Sequence, residues 1–452
     1  MIPRRPVRHL SRITLAGSLC MVFIGCVLSP VITDIFRQLG ATEVQFGLLA
    51  GLPMAMLFMQ FIGATWTNRL RHRRTAFMTL NILARLLFLP IALLPCLPGL
   101  APATVITAMI ALIALYNALQ NLTLPMWLSW MSDLIPRRIL SRYWGGRQRY
   151  ITLTTTLIAL TVTALTFYGS ELPLRPLFLG LSLLGVTAGV IDILLFRSVR
   201  EPPNLRTNAH PLHTLLEPLR DRNYRSIVRF SVIWTGASML AASFMLIYTL
   251  DVLKVPLWKT SLLWCMPGIG AAIVAPLWGR LVDRYGSRPI LRVCVFCKPM
   301  IVVAFLLVTP DTAMLVLAPA LLFDNMLNMG IEIAMNGFML KLAPRENRGM
   351  FIAAISALSG LAGAVGAITG GIILRHTNDF HTLLFGREWN HYQLLFLTSL
   401  LLRLPCNVLA RRIREPASAP SRMVLNHLLT LWPLRVLAFP VSLYRRLRGP
   451  EA

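Results

Sequence analysis

Long apolar stretches alternate along this chain with short polar connections. Twelve of the stretches are long enough to cross a bilayer as helices, because a crossing of about 30 Å needs about 20 apolar residues. We place them at 14–36, 45–66, 75–96, 103–127, 149–169, 176–196, 227–250, 258–280, 289–309, 313–338, 350–374 and 391–410, and number them spans 1 to 12. The pattern therefore predicts an all-α integral membrane protein with twelve transmembrane helices.

The composition agrees with a membrane protein. Of the 452 residues, 56% are apolar and 14% are charged, whereas a soluble domain carries about 25% charged residues. The net charge of +26 would suit nucleic acid, but the cations lie between apolar stretches and not on a soluble face with stacking aromatics. We therefore expect contact with the lipid bilayer and none with nucleic acid.

Cysteine usage predicts no special chemistry. The seven cysteines lie mostly inside apolar stretches, so no disulfide framework is implied. Cys294 and Cys297 form a CxxC, but no second pair or nearby His accompanies them. We expect buried thiols and not a metal or redox site, and we predict no cofactor.

Lysine and arginine are divided unevenly between the two sets of alternate connections. One set, together with both ends of the chain, carries 35 of the 44, and the other set carries 6. We call these the basic side and the opposite side of the membrane; Arg85, Lys298 and Arg403 fall within spans. Because cytoplasmic connections are enriched in Lys and Arg, both termini are predicted to be cytoplasmic. With no eukaryotic targeting feature recognised, we expect the inner membrane of a bacterium.

The two halves of the chain share landmarks at matching places. Four pairs recur at offsets of about 208 to 217 residues: Asp34 with Asp251, Pro53 with Pro267, Gly63 with Gly279, and Pro136 with Pro344. Transporter folds are often built from such repeats. The chain is therefore predicted to form two six-helix bundles related by an internal repeat.

The repeat sets the domain boundaries. Residues 1–196 are predicted to form the N-terminal bundle and residues 227–410 the C-terminal bundle. The stretch 197–226 is short and polar, which predicts a cytoplasmic linker. The tail, 411–452, is basic at both ends and apolar between, but Pro433, Arg435 and Pro440 interrupt it. We expect a helix in the membrane interface and not a thirteenth span.

The turn between spans 8 and 9 reads GRLVDRYGSRP, residues 279–289. Gly279 would let two helices approach closely, and Gly286 would permit a tight reversal. Asp283 is a lone carboxylate among cations, either a solvated partner of Arg284 or a functional group. The turn resembles the signature loop of the major facilitator superfamily, Gly-x-Leu-x-Asp-Arg-x-Gly-x-Arg, and matches it at every fixed position through Arg288.

The twelve spans in two repeats and this loop together resemble that superfamily along nearly the whole chain. The resemblance implies a secondary transporter and not an enzyme, with spans 1, 4, 7 and 10 lining a central cavity and two halves rocking about the solute. It also implies a gating loop in which Asp283 holds the turn against the start of span 11, near Met350, when the cytoplasmic side is closed. In the first-half copy Thr67 and Leu70 replace the Asp and the second Gly, so we expect no such latch there.

Span 10 carries the most informative polar pattern. A polar residue recurs at every fourth position, at Asp324, Asn328, Glu332 and Asn336. Each step of four residues turns about 40° around the helix axis, so these side chains form one stripe, which we call the span 10 stripe. A carboxylate at the bilayer centre costs about 2.5 to 3.5 kcal/mol, so both must face protein or water. Either is a candidate proton carrier, and the two could instead attract a cation such as Na⁺. A third interpretation pairs them with mid-span cations such as Lys298 in a structural role.

The other lining spans supply further candidates for the solute cavity: Asn117, Gln120 and Asn121 in span 4, Asp34 in span 1, and Trp234 and Tyr248 in span 7. Arg85 and Lys298 lie in spans 3 and 9, which in the family pack outside the cavity, so we expect structural ion pairs there. Asp133 and Asp192 are expected to pair with Arg137 and Arg197 nearby.

The leading hypothesis is a monomeric secondary transporter that moves a small solute and couples this movement to protons. A transporter-like sensor or assembly protein without flux is an alternative, although such proteins usually carry a large appended soluble domain. A membrane enzyme or lipid-handling protein is the other alternative, but the basic-side turns show no nucleophile–base pair and no metal motif. The fold class alone does not identify the solute.

Overall fold

The computed structural model describes residues 4–135, 140–168, 173–203, 221–342, 348–384, 387–415 and 418–430. Within these residues the chain is nearly all helical, and the helices follow the twelve predicted stretches in order. Eleven helices in the described part are long and apolar enough to cross a membrane. The predicted span 8 is not among them; its helix is divided at Trp264 and Cys265, and its last turns carry three charged side chains.

Spans 1 to 6 form the N-terminal half. Their helices are Arg4–Val27 with Pro30–Gln38 (span 1), Glu43–Ala55 with Met59–Arg69 (span 2), Arg73–Leu86 with Phe88–Leu93 (span 3), Pro102–Leu134 (span 4), Leu140–Tyr168 (span 5) and Leu174–Leu195 (span 6). Short 3₁₀ turns at Met56–Phe58, Leu94–Cys96 and Phe196–Ser198 continue spans 2, 3 and 6.

Spans 7 to 12 form the C-terminal half. Their helices are Arg222–Ala242 with Met245–Asp251 (span 7), Leu257–Leu263 with Met266–Tyr285 (span 8), Ser287–Cys297 with Met300–Leu307 (span 9), Ala313–Leu342 (span 10), Arg348–His376 (span 11) and His391–Arg403 with Cys406–Arg412 (span 12). A further helix, Ser421–Thr430, follows span 12. Most of the predicted linker and the tail from residue 431 lie outside the described residues.

Prolines explain several of the breaks within spans. A proline lacks the N–H of the helical ladder and its ring crowds the preceding turn. Span 1 breaks just before Pro30, span 9 at Pro299 and span 12 at Pro405, while span 2 tightens into a 3₁₀ turn just after Pro53. The spans are therefore bent at sites that the sequence marks.

A β-hairpin joins spans 11 and 12 on the opposite side, which the apolar pattern did not predict. Strand β1 (His381–Leu384) pairs with β2 (Arg387–Asn390) in antiparallel register, with His381 opposite Asn390. Asn390 then caps span 12, because its side chain accepts a hydrogen bond from the Tyr392 amide at 3.0 Å. Gln393 completes the capping box by accepting from the Asn390 amide at 2.9 Å.

Spans 2 and 11 join the two halves through small residues. A Cβ built on Gly47 would lie 2.7 Å from the Ala367 carbonyl oxygen, and one on Gly371 would lie 2.6 Å from the Glu43 carbonyl oxygen. Near the middle of the membrane, Gly360 lies against the backbone of Met54 in the same way. Such small residues let membrane helices pack backbone against backbone.

Most of the buried apolar residues of the described chain fall into three clusters. One contains residues of both halves, such as Phe36 and Phe88 with Leu263 and Phe396, and it lies toward the opposite side. The other two lie toward the basic side, one in the C-terminal half and one in the N-terminal half. The halves therefore share one core on the opposite side and have separate cores on the basic side.

Gly63→Ala is expected to destabilise the protein by about 1–3 kcal/mol, as overpacking does. A Cβ at Gly63 would overlap the Leu122 carbonyl of span 4, and a backbone atom cannot swing aside as a side chain can. Thermal unfolding of the purified protein in detergent measures the effect. Gly180→Ala is the matched control, because a Cβ on this glycine in span 6 would meet no atom within 4 Å. Equal melting temperatures for the two variants would contradict the close packing of spans 2 and 4.

Candidate functional site

The span 10 stripe does not present one uniform face. Asp324 is paired with Lys298, whose Nζ lies 2.8 Å from Oδ1 and 2.9 Å from Oδ2. Asn328 is half-buried, whereas Glu332 and Asn336 are exposed. The drift of about 40° per step turns the fourth member by about 120° from the first. Asp324 therefore faces span 9, and Glu332 is the carboxylate of the stripe that stays exposed.

The span 4 amides differ in their partners. The Nδ2 groups of Asn117 and Asn121 donate to carbonyls one turn earlier in the same helix, at 2.8 and 2.9 Å. The Oδ1 of Asn121 also accepts from Gln60 Nε2 at 2.8 Å, which ties span 4 to span 2. Gln120 is different, because its buried Oε1 has no hydrogen-bond partner among the described residues.

Asp34 belongs to a charged group that joins the halves on the opposite side. Its Oδ1 accepts from Arg37 Nε at 2.6 Å, and Arg37 Nη1 reaches Asp251 Oδ1 of span 7 at 3.0 Å. Asp34 is buried, while the Arg37 and Asp251 side chains are 38% and 36% exposed. Asp34 and Asp251 lie at equivalent ends of spans 1 and 7 in the internal repeat, and both pair with Arg37.

The two aromatic candidates of span 7 lie in apolar packing. Tyr248 is 1% exposed, and its hydroxyl accepts from Gln393 Nε2 at 3.1 Å. Trp234 is 7% exposed and stacks on Phe230, with ring centroids 6.1 Å apart. Their surroundings are those of core side chains, since Tyr248 also packs edge-on against Phe396.

The loop at 279–288 has one feature that corrects the sequence analysis. Gly279 does not lie in a close helix contact, because a Cβ built on it would meet no atom within 4 Å. Among the described residues, the cores of the two halves are separate on this side. Gly286 does make the tight reversal, with φ of 91°. Asp283 is exposed, and Arg284 lies 5.3 Å from the Tyr285 ring.

Two glutamates that sequence reasoning missed hold matching turns. Glu415, just after span 12, accepts from the Ser287 and Arg288 amides at 3.1 and 2.7 Å, and so caps the start of span 9. Glu201, just after span 6, accepts from the Arg74 amide at 3.1 Å at the start of span 3. A carboxylate stabilises the positive end of a helix dipole. The repeated tripeptide Arg-Glu-Pro at 200–202 and 414–416 would have revealed this pair.

The mid-span cations are all held by named partners. Arg85 Nη2 lies 3.2 Å from Asp192 Oδ2, and both side chains are 3% exposed or less. Arg403 donates to the Ser238 carbonyl at 3.0 Å. The expected pairing of Asp192 with Arg197 was wrong, since Asp192 binds Arg85. Asp133 binds Arg73 at 2.7 Å, and its expected partner Arg137 lies outside the described residues. Partners one helix away in the bundle lie closer than the neighbours in sequence.

The sequence profile of the Major Facilitator Superfamily matches residues 14–367. No curated protein matches the chain in sequence. The nucleoside transporter NupG superposes with a TM-score of 0.69 at 14% identity, covering 90% of this chain and 100% of that one.

Two further solved structures resemble the chain. A bacterial homologue of the human lysosomal transporter Spinster, inward-facing and unoccupied, has a TM-score of 0.63 at 15% identity and covers 92% of this chain and 100% of that one. A D-xylose–proton symporter has a TM-score of 0.64 at 14% identity, covering 88% and 97%. At these identities the likeness is one of fold.

Proposed function

Because the chain belongs to the major facilitator superfamily, we propose that it is a secondary active transporter that moves a small polar solute across the bacterial inner membrane by alternating access. The transporting unit is a monomer, with both termini in the cytoplasm. Residues 1–196 and 227–410 are the two bundles, 197–226 is the linker, and 411–452 is a tail in the membrane interface.

The observation that carries this proposal is the unequal packing of the two halves across the membrane. Toward the opposite side, one apolar cluster includes residues of both halves, and the Arg37–Asp251 ion pair spans them at 3.0 Å. Toward the basic side, each half has its own cluster, and Gly279 faces open space. This arrangement suits a conformation that is closed on the opposite side and open toward the cytoplasm. Rocking of the halves would reverse it.

The solute-binding residues that we propose lie on spans 4 and 10. Asn117 and Asn121 offer amide oxygens, and Asn328 and Asn336 supply further amides on span 10. These groups form hydrogen bonds without a net charge, which suits a polar solute.

Glu332 is the carboxylate that we propose to couple transport to protons. Asp324 is neutralised by Lys298, whose Nζ contacts both of its oxygens. Glu332 lies two turns further along span 10 and is exposed. Because a carboxylate at membrane depth must face protein or water, we place Glu332 at a water-filled cavity, with which it can exchange a proton. Coupling through Glu332 leaves the Lys298–Asp324 pair to hold spans 9 and 10 together.

Proton movement in proteoliposomes tests the proposal. A panel of nucleosides, pentoses and short peptides is added to vesicles, and the external pH is recorded for wild type, Glu332→Gln and Asp311→Asn. Asp311 is an exposed carboxylate just before span 10, which makes its variant the matched control. We expect one solute class to make the outside more alkaline with wild type and Asp311→Asn, and at least tenfold more slowly with Glu332→Gln.

Three outcomes would contradict the proposal at different levels. Equal proton uptake by wild type and Glu332→Gln would remove Glu332 from coupling while leaving a symporter. Solute exchange without any proton movement would make the protein a uniporter or exchanger. No flux of any kind with any solute would favour the sensor or assembly alternative.

A further inference from the structure

A cavity of about 170 Å³ lies inside the N-terminal half, toward its basic side. Spans 1, 3, 4, 5 and 6 all contribute to its wall, which includes Cys20, Arg85, Gln120, Arg147 and Asp192. Its walls come from one half alone, and they include Gln120, which we predicted to line the solute cavity. A cavity needs about 10–15 Å³ to hold one water, so there is room here for a group of several heavy atoms.

Arg85 is built into this wall with unused hydrogen-bond donors. It is 1% exposed, and its Nη2 reaches Asp192 Oδ2 and Cys20 Sγ, each at 3.2 Å. Its Nε and Nη1 have no hydrogen-bond partner among the described residues. A guanidinium has five N–H donors, and buried donors left unpaired are costly. Gly189 makes room for the side chain, because a Cβ there would lie 2.9 Å from Arg85 Cδ.

Arg147 of span 5 is held at the same cavity by a glycine and two tryptophans. A Cβ on Gly17 would lie 2.5 Å from Arg147 Nη2. The guanidinium carbon lies 5.3 Å from the Trp127 ring and 5.2 Å from the Trp144 ring, within the range of cation–π attraction. Its buried Nε also lacks a hydrogen-bond partner among the described residues.

The two guanidiniums contact neighbouring turns of span 1. Arg147 packs on Gly17 and Arg85 contacts Cys20, and these two positions are one turn apart, roughly 5 Å along the helix axis. Asp192 is the one carboxylate among the described wall residues, and it pairs with Arg85, so the wall carries two guanidiniums against one carboxylate and an excess positive charge. Water could satisfy the free donors, but it would not balance that charge.

We propose that this cavity binds an anionic group, a carboxylate or a phosphate, between Arg85 and Arg147. Planar guanidiniums match both oxyanions with paired N–H donors. The group can come from a small anion in solution or from the headgroup of an anionic lipid. This site goes beyond the proposed transport function, and binding at equilibrium requires no flux, so either idea can fail alone.

Binding is measured on the purified full chain in nanodiscs. Inorganic phosphate and acetate are titrated by calorimetry into protein in phosphatidylcholine discs, and phosphatidylglycerol binding is followed by native mass spectrometry. We expect saturable binding of at least one of these probes. Arg147→Gln should weaken it about tenfold or more, as loss of a charge-assisted hydrogen bond does. Arg149→Gln removes an exposed arginine two residues away and should leave binding unchanged.

The outcomes separate the sources of the anion. Binding of phosphate or acetate in phosphatidylcholine discs identifies a solution anion, and binding of phosphatidylglycerol alone identifies a lipid headgroup. Absence of binding by all three probes, or equal weakening in the two variants, would overturn the proposal and leave a cavity filled by water.

A second measurement keeps the test valid if Arg147→Gln does not fold. Wild-type protein is treated with phenylglyoxal, which modifies arginine, with and without the probe that binds, and the modified peptides are identified by mass spectrometry. We expect the probe to protect Arg147 and to leave the exposed Arg149 unprotected. Equal modification of Arg147 with and without the probe would overturn the proposal.

Discussion

Replacing Lys298 with Met is expected to destabilise the folded protein by about 3–5 kcal/mol, because it leaves the charge of Asp324 buried without a partner. The two side chains are only 10% and 15% exposed, and Nζ contacts Oδ1 at 2.8 Å. An exposed ion pair would contribute about 1 kcal/mol or less to the free energy of unfolding. Thermal unfolding in detergent, with the yield of folded protein as a second readout, measures the loss.

The double variant Lys298→Met with Asp324→Asn separates charge from packing. It removes both charges together, so most of the lost stability should return. Lys259→Met is the control, because it removes a cation that is in no ion pair within the described chain. The Nζ of Lys259 lies 5.4 Å from the centroid of the Trp258 ring. A double variant as unstable as Lys298→Met would mean that the shape of the lysine side chain, and not the ion pair, stabilises spans 9 and 10.

Bridging positions 37 and 251 covalently is expected to stop transport almost completely. Arg37 and Asp251 join the two halves on the opposite side, with Nη1 and Oδ1 3.0 Å apart. Neutralising Asp251 should have a small effect, because both side chains of this pair are more than one-third exposed and such pairs contribute about 1 kcal/mol or less. Neutralising Arg37 should cost more stability, because it also leaves the buried Asp34 without its cation. A covalent link acts differently, since it holds the halves together on that side and prevents their rocking.

The experiment uses the double variant Arg37→Cys with Asp251→Cys and a short bismaleimide that carries a reducible bond. Exchange of whichever panel solute the wild type moves is measured before bridging, after bridging and after cleavage of the reagent. We expect loss of at least nine-tenths of exchange on bridging and its return on cleavage, and we expect the reagent to leave the exchange rate of each single variant unchanged. Full exchange by bridged protein would contradict rocking of the halves about this contact.

Much of the architecture could be predicted from sequence because the bilayer imposes it. Spans need about 20 apolar residues, and connections are sorted by charge, so span order and the repeat followed from the pattern. Gly286 was predicted at the reversal because the turn needs a positive φ, and its φ is 91°. The hairpin at 381–390 was missed, since two strands of four residues leave no periodic signal.

The partners of buried charges could be predicted only in part. Lys298 and Asp324 were considered together because both lie at membrane depth, and the structure pairs them. Asp192 was assigned to Arg197 by nearness in sequence, but Arg85 is its partner across the bundle. Which face of a helix meets which neighbour depends on the packing of all six helices, and a drift of about 40° per step already separates Asp324 from Glu332.

The packing role of a glycine could likewise be predicted only in part from the sequence. Gly63 and Gly279 occupy matching repeat positions, yet a Cβ on Gly63 would overlap span 4 and one on Gly279 would meet no atom within 4 Å. When two halves rock against each other, one conformation closes the contacts on one side of the membrane and leaves those on the other side open. The need for a small residue at Gly279 is therefore expected in the conformation that closes the basic side.

The most direct test of alternating access is the reactivity of one thiol on each side of the membrane. Cys265 is native and 8% exposed, and its Sγ lies 3.8 Å from Thr163 Oγ1 of the other half, toward the opposite side. A cysteine introduced by Gly279→Cys reports on the basic side, where the glycine faces open space. Labelling by a small maleimide is followed for each peptide by mass spectrometry, with and without the bridge between positions 37 and 251. Alternating access predicts that bridging abolishes slow labelling of Cys265 and preserves labelling at position 279. Labelling of Cys265 at the same rate with and without the bridge would contradict the account.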